Sequence, residues 1–176
     1  RLYSASGDWR SGLDTVAYLR RRRASGIDPG ALYMLEAHFY DVGGNETAMS
    51  RALRNAAQLP GYREIATVRL AVLDARAGRC ARAVPALRRI LFSPRGADQI
   101  TESEPWFSLA RCLAAQGDLA GSARAAREAS GRAKSDEESR HALWLAAVGD
   151  GWKDDQLYEA LATGDDIWAA MAREHR

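Results

Sequence analysis

Residues 104–129 constrain this chain more than any other stretch. They read as two short amphipathic helices joined at Gln116-Gly117-Asp118, with Trp106, Leu109, Ala110 and Leu113 on one face before the turn and Ser122, Ala126 and Ala129 after it. Antiparallel helices approach closely only where the side chains between them are small. Ala110, Ala126 and Ala129 therefore mark a seam, and Trp106 and Leu113 fill the space beside it. Gly117 supplies the permissive backbone that stops the first helix, and Asp118 is suited to cap the second. One such hairpin cannot bury its own apolar face, so it needs neighbours.

The chain supplies them in phase. Gly7-Asp8-Trp9 repeats the turn, and Gly12, Val16 and Leu19 take the slots of Ser122, Ala126 and Ala129. Too little chain precedes Tyr3 for a full first helix; Arg20 to Arg23 finish the second, and residues 26–30 turn into the next. In the following unit Leu32, Leu35 and Phe39 take the places of Trp106, Leu109 and Leu113, and Met49, Leu53 and Ala56 continue the stripe. Glu36 stands where a small residue is wanted, and Gly43-Gly44 carries one extra residue. A third unit places Leu70, Ala71, Gly78, Ala83, Leu87 and Ile90 in register, with Thr67 and Asp74 in the bulky slots and Pro85 early in its helix. Pro94, Gly96 and Asp98 break the linker that follows. Comparable turn glycines, Gly7, Gly43, Gly78 and Gly117, thus recur at a nearly regular step. Beyond Lys134 the pattern weakens. Helices are expected from Asp136 to about Gly149, from Asp154 to Ala162 and from Asp165 to Glu174, the last burying Ile167, Trp168 and Met171.

These spacings resemble the tetratricopeptide repeat (TPR), whose signature is W-x2-L-G-x2-Y followed by a small-residue helix and whose period is about 34 residues. The resemblance covers about residues 3–129. It implies an all-α fold, a right-handed TPR-like solenoid of four to five helix hairpins in one domain. Residues 1–28 would be a partial repeat, 29–60, 61–98 and 99–134 repeats, and 135–176 a degenerate repeat with a capping helix. Opening on Arg1-Leu2-Tyr3, which looks like mid-helix, the chain reads as a fragment of a longer, bacterial protein.

In such a fold the first helix of each repeat lines a concave groove. By register the groove would hold Tyr33, Met34, Ala37 and Tyr40, then Val68, Arg69, Val72 and Arg76, then Phe107, Ser108 and Arg111. An apolar and aromatic end followed by three arginines suits an acidic-hydrophobic peptide, because Arg grips carboxylate bidentately while aromatic contacts supply burial. The alternative is that some of these side chains pack on neighbouring repeats or pair with Glu36, Asp41 and Asp74. TPR domains that clamp the C-terminal carboxylate of chaperones carry a Lys/Asn-rich set. Tyr33, Ala37, Arg69, Glu104 and Ser108 stand there instead, which argues against that specialisation. The function expected is a non-catalytic protein-interaction scaffold; the alternative is an accessory domain of an enzyme or of a bacterial secretion or envelope assembly.

Other chemistry has a blander explanation in each case. No phosphate loop, HExxH, GxSxG elbow or calcium-loop spacing is present, and His38, His141 and His175 stand far apart, so neither an enzyme nor a cofactor is expected. Asp154-Asp155 and Asp165-Asp166 could suggest a metal site, but helix capping accounts for them. Asn45-Glu46-Thr47 matches a glycosylation sequon and reads as turn chemistry. A net charge of +2 and a pI near 8.7 are mild for a nucleic-acid module, and the run at Arg20 to Arg23 reads as a solvated helix end. No apolar run approaches the roughly 20 residues that cross a bilayer. Cys80 and Cys112 fall in separate hairpins and read as buried small hydrophobes rather than a disulfide framework. The compartment stays open, leaning to cytoplasm over periplasm. The faces of Tyr3, Trp9, Leu13 and Val16 lack a complete partner helix, which leaves homo-oligomerisation open.

Overall fold

The computed structural model describes residues 8–22 and 26–175. Among these residues all regular structure is helical: α1 Trp9–Arg21, α2 Pro29–Val42, α3 Glu46–Ala56, α4 Arg63–Arg76, α5 Cys80–Leu91, α6 Pro94–Gln99, α7 Glu104–Ala115, α8 Leu119–Ser130, α9 Asp136–Asp150, α10 Asp155–Ala162 and α11 Ile167–Glu174. The chain divides into two compact units, Arg1–Leu73 and Asp74–Arg176.

Short polar residues start most of these helices. The Ser11 amide donates to Asp8 at 3.1 Å, the Ala48 amide to Asn45 at 3.0 Å and the Gly121 amide to Asp118 at 2.9 Å. Asp154 and Asp166 accept from the Leu157 and Ala169 amides in the same way. Each bond satisfies an amide that the helix itself leaves without a partner. Asn45 is thus occupied as a cap.

The turns share one construction. Gly44, Gly78, Gly117 and Gly151 all have φ between +66° and +81°. The amide after each glycine reaches back five residues: Asn45 to the Tyr40 carbonyl, Arg79 to Asp74, Asp118 to Leu113 and Trp152 to Ala147, at 2.8–2.9 Å. This is the Schellman closure, which needs a left-handed residue where glycine alone carries no Cβ penalty. The expected turn glycine of the second repeat was Gly43. That residue is right-handed, at φ −81°, and the turn falls on Gly44. The step from Gly44 to Gly78 then equals the step from Gly117 to Gly151, with a longer one between Gly78 and Gly117. Gly7 lies outside the described residues.

That one-residue shift reorders α2. Ala37 stands seven residues before Gly44, as Ala71 stands before Gly78 and Ala110 before Gly117, and all three are buried. Leu35, expected on the buried stripe, is 39% exposed. Glu36, expected to disturb close packing, leaves the seam to Ala37 and pairs with Arg20 at 2.7 Å.

In the first unit, Ala37, Met49, Ala52, Leu53, Ala56, Ala66 and Leu73 from α2, α3 and α4 form one buried cluster. A second, Val16, Leu32 and Phe39, is covered by Trp9, Leu13 and Leu19. The face expected to lack a partner is thus packed on α2: Val16 is 2% exposed, while Tyr3 lies outside the described residues. α1 approaches so closely that a Cβ at Gly12 would come within 2.4 Å of the Phe39 ring. In the second unit α8 packs between α7 and α9, and α5 lies against α7. Leu87, Leu109, Leu113, Ser122, Ala126 and Ala129 fill those contacts at 2% exposure or less, so the seam expected of residues 104–129 is present.

Three further expectations are corrected. The linker after Ser93 contains a short helix, α6, started by Pro94 and by the Gly96 amide donating to Ser93. Ile167 is 67% exposed; Ala169 and Ala172 are the buried side of α11, with Trp168 and Met171 half-buried. Most consequentially, Cys80 and Cys112 are not separate small hydrophobes. They form a disulfide, Cα to Cα 5.1 Å across a sequence separation of 32. Reading each cysteine within its own hairpin hid the fact that α5 and α7 lie side by side.

Candidate functional site

The turn glycines give a register for locating the expected groove residues. Residues ten before each left-handed glycine are Met34, Val68, Phe107 and His141; six before, they are His38, Val72, Arg111 and Leu145.

In the first unit the expected groove residues belong mostly to the interior. Ala37 is in the core, Val68 and Val72 are at most 5% exposed, and Tyr33, Met34 and Tyr40 pack on the buried cluster. Tyr33 also lies beneath the Arg20 guanidinium, 4.5 Å from its ring centre. Arg69 is half-buried on α4. The side chains that α2 turns outward are instead Leu35 and Val42, 39% and 44% exposed, with His38 half-buried between them.

In the same unit Arg20, Glu36, Tyr40, Ala48, Arg51, Ala52 and Asn55 line a small cleft of about 140 Å³. Its Arg20 is already engaged by Glu36. Arg22, also in the basic run, lies 5.2 Å from the Tyr18 ring, and Arg23 lies outside the described residues.

The second unit assembles a denser surface. Phe107 on α7 meets His141 on α9 edge to face with ring centres 4.5 Å apart, and His141 stacks on Trp168 of α11 at 4.6 Å. Trp144, one turn along α9, adds a tilted contact to Trp168 at 5.8 Å. Three helices thus contribute to one aromatic strip, with separations inside the roughly 4.5–7 Å range of favourable ring pairs. Phe107, Trp144 and Trp168 are half-buried and His141 is exposed.

Charge sits beside the strip. Arg111, one turn after Phe107, is exposed, and its field reaches His141. Partial desolvation of the ring between Phe107 and Trp168, and then the Arg111 cation, hold the His141 pKa below the ordinary 6.5, against the opposite pull of Glu137. His141 is therefore mainly neutral at pH 7, and Arg111 supplies a cation near it. Arg76, also expected in the groove, forms an ion pair with Glu104. Ser108 is buried at 8% exposure. Asp74 pairs with Arg79 at 2.7 Å and with Arg82 at 3.6 Å.

The structure therefore brings Phe107 and Arg111 together with His141, Trp144 and Trp168, which the sequence pattern alone did not place in the site. A signal for them existed: Gly151 follows Gly117 at the same interval that separates Gly78 from Gly44, and the count back from the glycine that gives Phe107 gives His141. No group of three or more His, Cys, Asp or Glu able to hold a metal ion occurs among the described residues, and none of their helices is long and apolar enough to cross a membrane.

Comparison with protein-family models, with curated proteins and with solved structures finds no match. The class that stands is an all-α helical protein. Its function rests on the surfaces just described.

Proposed function

We propose that this chain is a TPR-like helical-repeat module that binds a peptide segment of a partner protein without catalysing a reaction. The observation that carries the reading is the strip Phe107–His141–Trp168 with Arg111 at its side. Half-buried rings held by their neighbours offer apolar contact at little ordering cost, and an exposed guanidinium adds a directional grip on carboxylate. The occupant that fits is a peptide with an aromatic or branched apolar anchor and an Asp or Glu about one helical turn or two strand residues away. The repeated Schellman turns at Gly44, Gly78, Gly117 and Gly151 support the TPR-like reading. Two of their three steps equal the period of about 34 residues that the repeat requires.

Panning a random peptide library against the intact chain tests this. The expected outcome is an enriched motif pairing an apolar anchor with an acidic residue. Phe107→Ala should lose binding to that motif, and Arg111→Glu should shift selection toward basic peptides, both with helicity unchanged. No enrichment, or enrichment indifferent to both changes, rejects the proposal.

A further inference from the structure

The disulfide introduces chemistry that peptide binding does not use. Cys80 is the first residue of α5, and Cys112 lies in the last turn of α7. Their surroundings differ. Cys112 is 1% exposed, whereas Cys80 is half-buried.

The start of α5 differs from its counterparts as well. Asn45 and Asp118, which follow the turn glycine in the same way, cap their helices through the side chain. Arg79 stands there before α5, makes no side-chain cap bond, and pairs with Asp74 instead. The start of α5 therefore has no side-chain cap; the Arg82 amide donates to the Arg79 carbonyl at 3.0 Å. A thiolate at the first helical position meets that positive helix end, an environment that favours the reactive ionised form of cysteine. The buried Cys112 has no such help and no route to a bulky reagent.

We infer that Cys80 and Cys112 are the substrate pair of a dithiol–disulfide exchange in an oxidising compartment, with Cys80 as the entry thiol and Cys112 as the resolving one. Bonds of this kind persist where no thiol pool reduces them, which moves the compartment away from the cytoplasm favoured by the sequence. The Cys80 thiolate attacks a sulfur of the donor's disulfide, forming a mixed disulfide and releasing one donor thiolate. The Cys112 thiolate then attacks the Cys80 sulfur, forming the intramolecular bond and releasing the second donor thiolate. The two protons lost by the protein thiols pass to the two donor thiolates. The protein is oxidised by two electrons, and the donor's disulfide is reduced to a dithiol.

The test uses reduced, folded full chain with oxidised glutathione as donor, quenched by alkylation and read by intact mass and peptide mapping. The native chain should lose two hydrogens and yield the Cys80–Cys112 cross-linked peptide. Cys112→Ala should accumulate one glutathione adduct, on Cys80. Cys80→Ala should lose the adduct under native conditions and regain it in denaturant, where Cys112 is accessible. Glutathione adding to Cys112 of the folded Cys80→Ala chain as fast as to Cys80 would overturn the assignment of roles. A native chain that oxidises without forming the cross-linked peptide would overturn the pairing. This second result needs no variant, so it decides the matter even where a substitution unfolds the chain. For the compartment, chain isolated from its source with alkylated thiols should carry the bond; fully alkylated Cys80 and Cys112 would contradict it.

Discussion

Breaking the Cys80–Cys112 bond should lower stability by an amount that follows from where the bond lies. It joins residues 32 apart in sequence, and the chain-entropy relation for a loop of that length gives about 3.7 kcal/mol at 25 °C. For a chain of this size each kcal/mol moves the melting midpoint by about 2–4 °C, so the expected drop is roughly 10 °C. The cleanest comparison is the native sequence, oxidised against reduced, because it removes the bond and changes no side-chain volume beyond the sulfurs. A Cys80→Ala/Cys112→Ala chain adds the loss of the buried Cys112 sulfur and should melt at or slightly below the reduced protein. Scanning calorimetry with and without a phosphine reductant reads the shift. Coincident oxidised and reduced midpoints would refute the reasoning. They would mean either that the unfolded chain is no freer without the bond, or that α5 and α7 are not held together by it.

Other expectations follow from single contacts. Arg111→Ala should raise the His141 pKa and Glu137→Gln should lower it, both read by NMR titration of the imidazole, since the cation disfavours imidazolium and the carboxylate favours it. Because the folded pKa of His141 lies below 6.5, its contribution to stability is complete above that pH and is lost as pH falls from there through the folded value; His141→Phe should flatten that segment of a melting-against-pH curve. Asp118 shows the acidic counterpart: the Gly121 amide, then Arg88, hold its pKa below 3.8. Its contribution is present above 3.8 and lost as pH falls through the folded value, and Asp118→Ala should lower the midpoint more than Asp118→Asn, which keeps a capping oxygen. Gly117→Ala places a Cβ on a residue at φ +81° and should cost about 1–2 kcal/mol in chemical denaturation; no measurable change would show that the turn relaxes.

Much of the fold was legible because its determinants are local. Ala110, Leu113, Ala126 and Ala129 carry helix, seam and turn in one short stretch, and Asp118 and Asp154 cap the helices they precede. The errors came where two local signals competed. Gly43 and Gly44 offer the same residue type to one turn, and only the backbone decides that Gly44 takes the left-handed position; misplacing it by one residue moved Leu35 inward and Tyr33, Ala37 and Tyr40 outward. Ile167 failed for a different reason, since a helix of only two turns is too short for its periodicity to fix which side is buried. The Gly151 interval pointed to the position of His141, but the disulfide and the ring contacts of the strip depend on which helices lie side by side and so were not legible. Cys80 and Cys112 stand far apart in sequence, and His141 gains its meaning only from Phe107 and Trp168 on other helices.

Peptide recognition stands or falls on the strip Phe107–His141–Trp168. The most direct measurement is an ¹H–¹⁵N spectrum of the indole groups of the intact chain, titrated with an acidic peptide bearing a hydrophobic anchor. Binding at the strip predicts saturable shifts of the Trp144 and Trp168 indole signals, with that of Trp9 unmoved, and their loss in Arg111→Glu. Shifts confined to Trp9, or shifts at Trp168 that Arg111→Glu leaves intact, would contradict it.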